Sequence, residues 1–369
     1  MSQINLHLIE PTLFDQTGHS YTFVQCVLQA NAVAQNKYAL HVWLDHRGSN
    51  LFVNSSCTVH AYFYRRWRQV QKIFLYYRLL QQEGTIFVGT CELWDLRILA
   101  FFARLLTAKV KAKVLVHFHQ FKQSSKKLAC LERIAAQQPQ FIFATPTDKL
   151  TRIFSTRGFA KCITIPCPTY PRNAEPMVAN TEFKKVLYAG AARSDKGFAQ
   201  VVELLDYNRK LGKDILFELQ ISAPNSQRYD SETQIALQKL HSIATHNVVL
   251  HANTLDQTQY LNLFKHAICL LIYKPLDYAN KFSAVALDAF YAGCPIITAK
   301  DTWMGDMAEK YGAGIALATH EYHPAAMQAA LERIIQDYAV FHVQAKAAAQ
   351  ELSVMHDPSR VLEVVGGFG

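Results

Sequence analysis

ICLLIYKPLDYANKFSAVALDAFYAGCPIITAKDTWMGD, residues 268–306, carries the reading of the fold. Ile268–Tyr273 is an apolar run closed by Lys274-Pro275, the pattern of a buried strand. After a polar loop, Phe282–Tyr291 is small and apolar enough for a helix packed on all sides. Ser283 or Asn280 can serve as its N-cap, and Gly293 with Pro295 closes it. Pro295–Ala299 is strand-like again. Strand, loop, helix and strand in this order set a helix N-terminus beside the end of a parallel strand. Unpaired N–H groups and the positive end of the dipole suit a phosphate there. Asp288 stands five residues beyond Ser283, about 7–8 Å along the axis at ~1.5 Å per residue, which is the span from a nucleotide's diphosphate to its ribose hydroxyls. The competing reading is a partly exposed aspartate at a helix edge.

The chain has 369 residues, half of them hydrophobic and 18% charged, which favours two domains and excludes a disordered chain. No apolar run is long enough to span a bilayer and no signal peptide is legible, so a cytoplasmic protein is expected. The eight cysteines include no C-x-x-C pair and read as reduced thiols. Charge divides the chain unevenly. Residues 1–180 hold 21 Lys+Arg against 9 Asp+Glu, and residues 181–369 hold 17 against 20. The basic half therefore calls for an anionic partner of its own.

In the first half, Leu6–Ile9 and Tyr38–Leu44 read as strands. Between them, Gly18-His19 precede a helix over 21–34, either as a plain turn or as a loop under a ligand. HAYFYRRWRQVQKIFLYYRLL (60–80) interleaves aromatics with Arg65, Arg66, Arg68, Lys72 and Arg78. An anionic membrane surface, nucleic acid and a plain surface helix all fit that mixture. No helix-turn-helix, zinc-finger or RNA-recognition pattern supports nucleic acid, which is not expected as a partner. Val114–Phe118 is a buried strand leading to His119, a residue for the crevice at the sheet's carboxyl end or a hydrogen-bonded cap; His117 shares its side. PCPTYPRNAEPMVA (166–179), with four prolines, is the expected linker.

Val186–Gly190 opens a second Rossmann-like half, and Arg193 and Lys196 on the following strand-to-helix loop read either as a ready diphosphate clamp or as solvated loop charge. No G-x-G-x-x-G or P-loop pattern is present, which argues against dehydrogenases and P-loop enzymes.

Residues 280–297 resemble the donor-binding signature of retaining glycosyltransferases of family 4, approximately E-G-F-G-x-x-x-x-E-A-x-x-x-G-x-P-V-I. Asn280, Phe282, Ser283, Asp288, Ala289, Gly293, Pro295, Ile296 and Ile297 fall on its positions. Asn280 stands where the family has a glutamate for the transferred sugar, and Ser283 where it has glycine. Thr302–Asp306 takes the place of a glycine-rich loop. The resemblance implies an α/β chain of GT-B architecture, two Rossmann-like domains facing each other across a cleft. Residues 1–170 would form the basic acceptor domain, 171–182 the linker and 183–350 the donor domain, with 351–369 crossing back.

The resemblance further implies a sugar transfer from a nucleoside-diphosphate sugar to an acceptor hydroxyl, with retention, in glycoconjugate synthesis. Gly190, Arg193, Lys196, Asn280, Lys281, Phe282, Ser283, Ala284 and Asp288 would hold the donor. Gly18 and His19 would lie at the acceptor or phosphate loop, and the catalytic set would be His119, Arg193 and Lys196. With no D-x-D carboxylate pair, neither a metal nor a cofactor is expected. The expected acceptor is a saccharide, on a lipid carrier if an anionic membrane surface is the basic half's partner. Asn280 motivates the alternative, a GT-B protein that binds a nucleotide or sugar without catalysis.

Overall fold

The computed structural model of the protein describes residues 3–16, 18–119, 121, 124–169, 182–223, 228–243, 247–253 and 255–367. The expected linker, 171–182, lies outside them except for Glu182. The chain divides into two compact units, residues 1–171 with 355–369, and residues 172–354.

The first unit is built on β1 (Ile4–Glu10), β2 (Tyr38–Asp45), β3 (Cys57–Phe63), β4 (Gly84–Val88), β5 (Ala112–His117), β6 (Ile142–Thr145) and β7 (Cys162–Thr164). They lie in the order 3-2-1-4-5-6-7, every neighbouring pair parallel. Parallel strands need crossovers that cover both faces, so the inner strands read as unbroken apolar runs. Ile9, Trp43, Val88 and Val116 lie in one hydrophobic cluster with Leu75, Leu79, Leu96 and Leu99 of the helices Arg68–Leu80 and Leu93–Leu106. Leu6, Leu8, Leu40 and Leu115 lie in the other, with Val24 and Val27 of the helix Gly18–Val33. Val361, Leu362 and Val365 of the helix Ser359–Gly367 complete that second cluster, and the Tyr38 hydroxyl donates to the Leu362 carbonyl at 3.2 Å.

The aromatic and basic stretch 60–80 is two elements, not one. Its start belongs to β3, where His60 pairs with Trp43 in register and stacks on its ring at 3.9 Å. The helix begins only at Arg68. Two of its cations do not face solvent. Arg68 reaches the buried Asp45 at 3.4 Å, and buried Lys72 pairs with Asp95 at 2.8 Å.

The second unit is built on β8 (Lys185–Tyr188), β9 (Leu216–Gln220), β10 (Val248–His251), β11 (Ala267–Leu271), β12 (Ile296–Ala299) and β13 (Gly314–Leu317). The order is 10-9-8-11-12-13, again all parallel. The stretch 268–306 forms β11, the helix Ala284–Tyr291, β12 and the start of the helix Trp303–Tyr311. The short helix Pro275–Tyr278 lies in what the sequence gives only as a polar loop.

Candidate functional site

Each sheet reverses its strand order beside its first strand, between β1 and β4 and between β8 and β11. At such a switch point the two following loops turn to opposite faces and leave a crevice outside the carboxyl ends, where open α/β sheets bind ligands. In the second unit those loops carry the residues singled out above. The loop after β8 holds Gly190, Arg193 and Lys196, and the chain after β11 runs to Ser283 and Asp288. The two loops are tied together by the Lys274 amide, which donates to the Asp195 carbonyl at 2.9 Å.

Lys196 lies on the loop after β8, at this edge of the sheet. Its Nζ lies 2.8 Å from where a Cβ on Gly190 would stand, and 5.5 Å from the centre of the Tyr273 ring. A side chain at Gly190 would displace the ammonium, and the φ of +101° there also favours glycine. Lys196 makes no ion pair among the described residues, because Asp195 beside it is taken by Arg193. Burial, and after it the Arg193 charge, push the ammonium down to about 8. Arg193 bonds both oxygens of Asp195, Nε to Oδ1 at 2.8 Å and Nη2 to Oδ2, with the Tyr278 hydroxyl 3.4 Å from Oδ2. Of the two cations that sequence assigns to a clamp, one is thus already paired within its own loop.

Ser283, rather than Asn280, is the N-cap of the helix Ala284–Tyr291, and its Oγ accepts from the Ala286 amide at 3.3 Å. Helix geometry leaves the Ala284 and Val285 amides without a carbonyl of their own helix to bond. Asn280 and Lys281 are half-buried just ahead, with the Lys281 ammonium 4.8 Å from the centre of the Tyr278 ring. Phe282 meets Trp303 edge-on at 4.9 Å. Asp288, also half-buried, accepts a hydrogen bond from the Tyr260 hydroxyl at 3.1 Å. Sequence reasoning missed Tyr260, and likewise Gln220, whose Oε1 accepts from the Gly190 amide at 2.6 Å. Neither has a local signal, since only strand order brings β9 and the helix Gln257–Asn262 to this edge.

At the carboxyl edge of the first sheet, Gly18 opens its helix and His19 stacks on His119 with ring centres 4.1 Å apart. His119 Nδ1 lies 3.1 Å from Cys167 Sγ. Burial pushes that thiol up to about 12, so Cys167 meets the imidazole as a neutral S–H. His117 is fully buried with its nitrogens against the carbonyls of Gly89 at 3.2 Å and Ile165 at 2.9 Å, which makes it a brace between strand ends. Glu10, the last residue of β1, is 2% exposed and accepts from Thr90 Oγ1 at 3.1 Å. Burial pushes its carboxyl up to about 7. Sequence gave no hint of Glu10, Thr90 or Cys167 as neighbours of the histidines' strand ends.

Two doubly wound parallel sheets, each with polar loops gathered at its switch point, make this an α/β protein of two Rossmann-like halves. No protein-family model matches the chain, and neither does any curated protein sequence. Solved structures do match over their whole length. Sucrose-phosphate synthase from Thermosynechococcus elongatus is 14% identical with a TM-score of 0.72, covering 99% of this chain and 98% of its own. HepE from Anabaena, in complex with UDP, is 14% identical with a TM-score of 0.70, covering 99% and 100%. A glycosyltransferase from Rickettsia africae is 10% identical with a TM-score of 0.73, covering 100% and 99%. The fold is the GT-B fold of glycosyltransferases.

Proposed function

We propose that the protein is a retaining, metal-independent glycosyltransferase of the family 4 kind, which moves a sugar from a nucleoside diphosphate to an acceptor hydroxyl. The observation that carries this reading is the unpaired Lys196 ammonium held over Gly190, at a switch point shared with the first turn of Ala284–Tyr291. A diphosphate there meets one cation and the helix amides together, and Asp288 lies on the same helix to receive ribose hydroxyls. As the sugar–phosphate bond breaks, negative charge grows on the leaving diphosphate. Groups already aimed at it stabilise that transition state without rearranging. Arg193 would join once a phosphate competes with Asp195 for its guanidinium. His119, just past the end of the strand β5, is assigned to the reacting sugar, and Gly18 and His19 to the acceptor side. The acceptor is a saccharide on a lipid carrier at the cytoplasmic face of a membrane.

The test is release of nucleoside diphosphate from a panel of nucleotide sugars, with thermal stabilisation by each nucleotide in parallel. UDP-sugars come first, because HepE is similar in fold and was solved with UDP. Turnover should persist in a chelator. Stabilisation by a nucleotide sugar with no turnover on any acceptor would select the second reading, a binding protein, which Asn280 in place of glutamate favours. Two variants separate the roles. Asp288→Ala should weaken nucleoside diphosphate binding by about 1.5–3 kcal/mol, the range for a charge-assisted hydrogen bond. Unchanged affinity by calorimetry removes Asp288 from the site. His119→Ala should lower kcat by about 10²–10⁴ while nucleotide affinity stays. Normal turnover in that variant returns His119 to the role of a strand-end cap.

A further inference from the structure

The helices Arg68–Leu80 and Leu93–Leu106 pack side by side on the first sheet, with Tyr77 edge-on to Phe102 at 5.3 Å. Each turns a row of large apolar side chains outward. Trp67 at the first helix's N-cap, Val70 and Phe74 are 65%, 44% and 66% exposed; Trp94, Phe101 and Leu105 on the second are 43%, 63% and 62% exposed. Spacings of three, four and seven put each row on one helix face. Single exposed leucines are ordinary, but two adjacent rows of this size are not. The rows are flanked by Arg65, Arg66, Arg97, Arg104 and Lys109, all exposed. Within the two helices the one carboxylate is Asp95, buried against Lys72; exposed Glu83 and Glu92 stand just outside their ends, against the five exposed cations. No helix among the described residues is long and apolar enough to cross a membrane.

We infer that this face docks on an anionic lipid bilayer, the apolar rows entering the headgroup layer and the arginines meeting lipid phosphates. Charge decides the occupant. A second copy of the chain would press one predominantly basic face on another, and like charges oppose that contact. Nucleic acid would neutralise the arginines but leave Val70 and Leu105 without a base to stack on. A bilayer satisfies both, since Trp and Phe sit at the interface while arginine heads stay with the phosphates. The surface rests on the glycosyltransferase reading only for its purpose, which is to bring a lipid-linked acceptor within reach.

The test uses the whole chain with vesicles of phosphatidylcholine alone, or with roughly a quarter phosphatidylglycerol, and needs neither donor nor acceptor. Sedimentation should show binding to the anionic vesicles only, weakening as salt rises. Trp67→Ser with Phe74→Ser and Phe101→Ser should reduce binding by at least about tenfold. Nucleoside diphosphate affinity and the melting temperature should stay put, as all three side chains face solvent. Trp43 and Trp303 are buried at 3% and 7% exposure, so a blue shift of tryptophan emission on anionic vesicles reports Trp67 and Trp94. It should vanish in Trp67→Phe with Trp94→Phe while binding persists. Equal binding to neutral vesicles, an unchanged triple variant, displacement by oligonucleotide, or a dimer that the triple variant dissolves would each overturn the assignment. None of those results bears on sugar transfer, which the turnover panel decides separately.

Discussion

Lys196→Ala should lower kcat/KM for the nucleotide sugar by about 10²–10³, the loss seen when one preorganised donor to a developing oxyanion is removed, roughly 2.7–4 kcal/mol. Donor binding and turnover should fall together, because the diphosphate is there before and during transfer. The same residue sets a pH dependence whose sign follows from its surroundings. Without ligand, burial and Arg193 hold the ammonium down to about 8. A bound diphosphate brings negative charge and raises it, so the complex holds its proton to higher pH than the free protein does. Binding near pH 8 must then take up a proton, and affinity must fall as pH rises through about 8 toward the ammonium's value in the complex. Calorimetry in two buffers of different ionisation enthalpy reads that uptake directly. Proton release, or flat affinity between pH 7 and about 9, takes Lys196 away from the diphosphate. Lys196→Arg should restore little, since a longer, planar guanidinium cannot place its charge where the compact ammonium stands.

The second large effect lies one residue on. Gly197 has φ of +71°, and a Cβ there would stand 2.1 Å from the Ile272 carbonyl oxygen. Gly197→Ala must pay about 1 kcal/mol for the left-handed backbone. It must also part the loop after β8 from the end of β11, which adds about 1–3 kcal/mol as other overpacked sites do. Unfolding of the second unit should therefore begin about 5–15 °C lower, and nucleotide affinity should drop even where the variant is folded. Gly212→Ala is the control. Its φ of +65° is similar, but nothing lies within 4 Å of the added carbon. A Gly197→Ala melting curve no lower than that of Gly212→Ala would falsify the close-approach argument.

The part of the candidate site contained in one run of sequence was legible. Ile268–Tyr273 has the pattern of a buried strand, observed as Ala267–Leu271, and a serine before a small apolar run, closed by glycine and proline, marks a helix and its cap. Between Asn280 and Ser283 the sequence left the cap open, because either side chain can accept a first-turn amide; the backbone settled it on Ser283. Partners distant in sequence were not legible. Asp195 looks like one more loop carboxylate until its bidentate contact with Arg193 is visible. Arg68 and Lys72 look like solvent cations until Asp45 and Asp95 arrive from other elements. Tyr260, Gln220 and Cys167 have ordinary local contexts, and become site residues only through strand order. β3 was hidden for another reason. In 57–63 edge exposure breaks the apolar alternation, so His60 and Tyr62 read as the start of the basic aromatic run instead of as ladder partners of β2.

The helix Ser359–Gly367 fills the same cluster as β1 and the helix Gly18–Val33, and the Tyr38–Leu362 bond joins residues 324 apart in the chain. During synthesis this sets an order of events. Every residue of the second unit has been made by position 354, whereas the first still lacks Val361, Leu362 and Val365. The half begun first is thus the half finished last, and until its final helix arrives the face formed by Leu6, Leu8 and Val27 has an open side. Contacts of such long range also slow the search for the native state. A growing chain would carry a complete second unit while the first still shows water an apolar surface, the state in which a nascent protein is most exposed to chaperones and to aggregation.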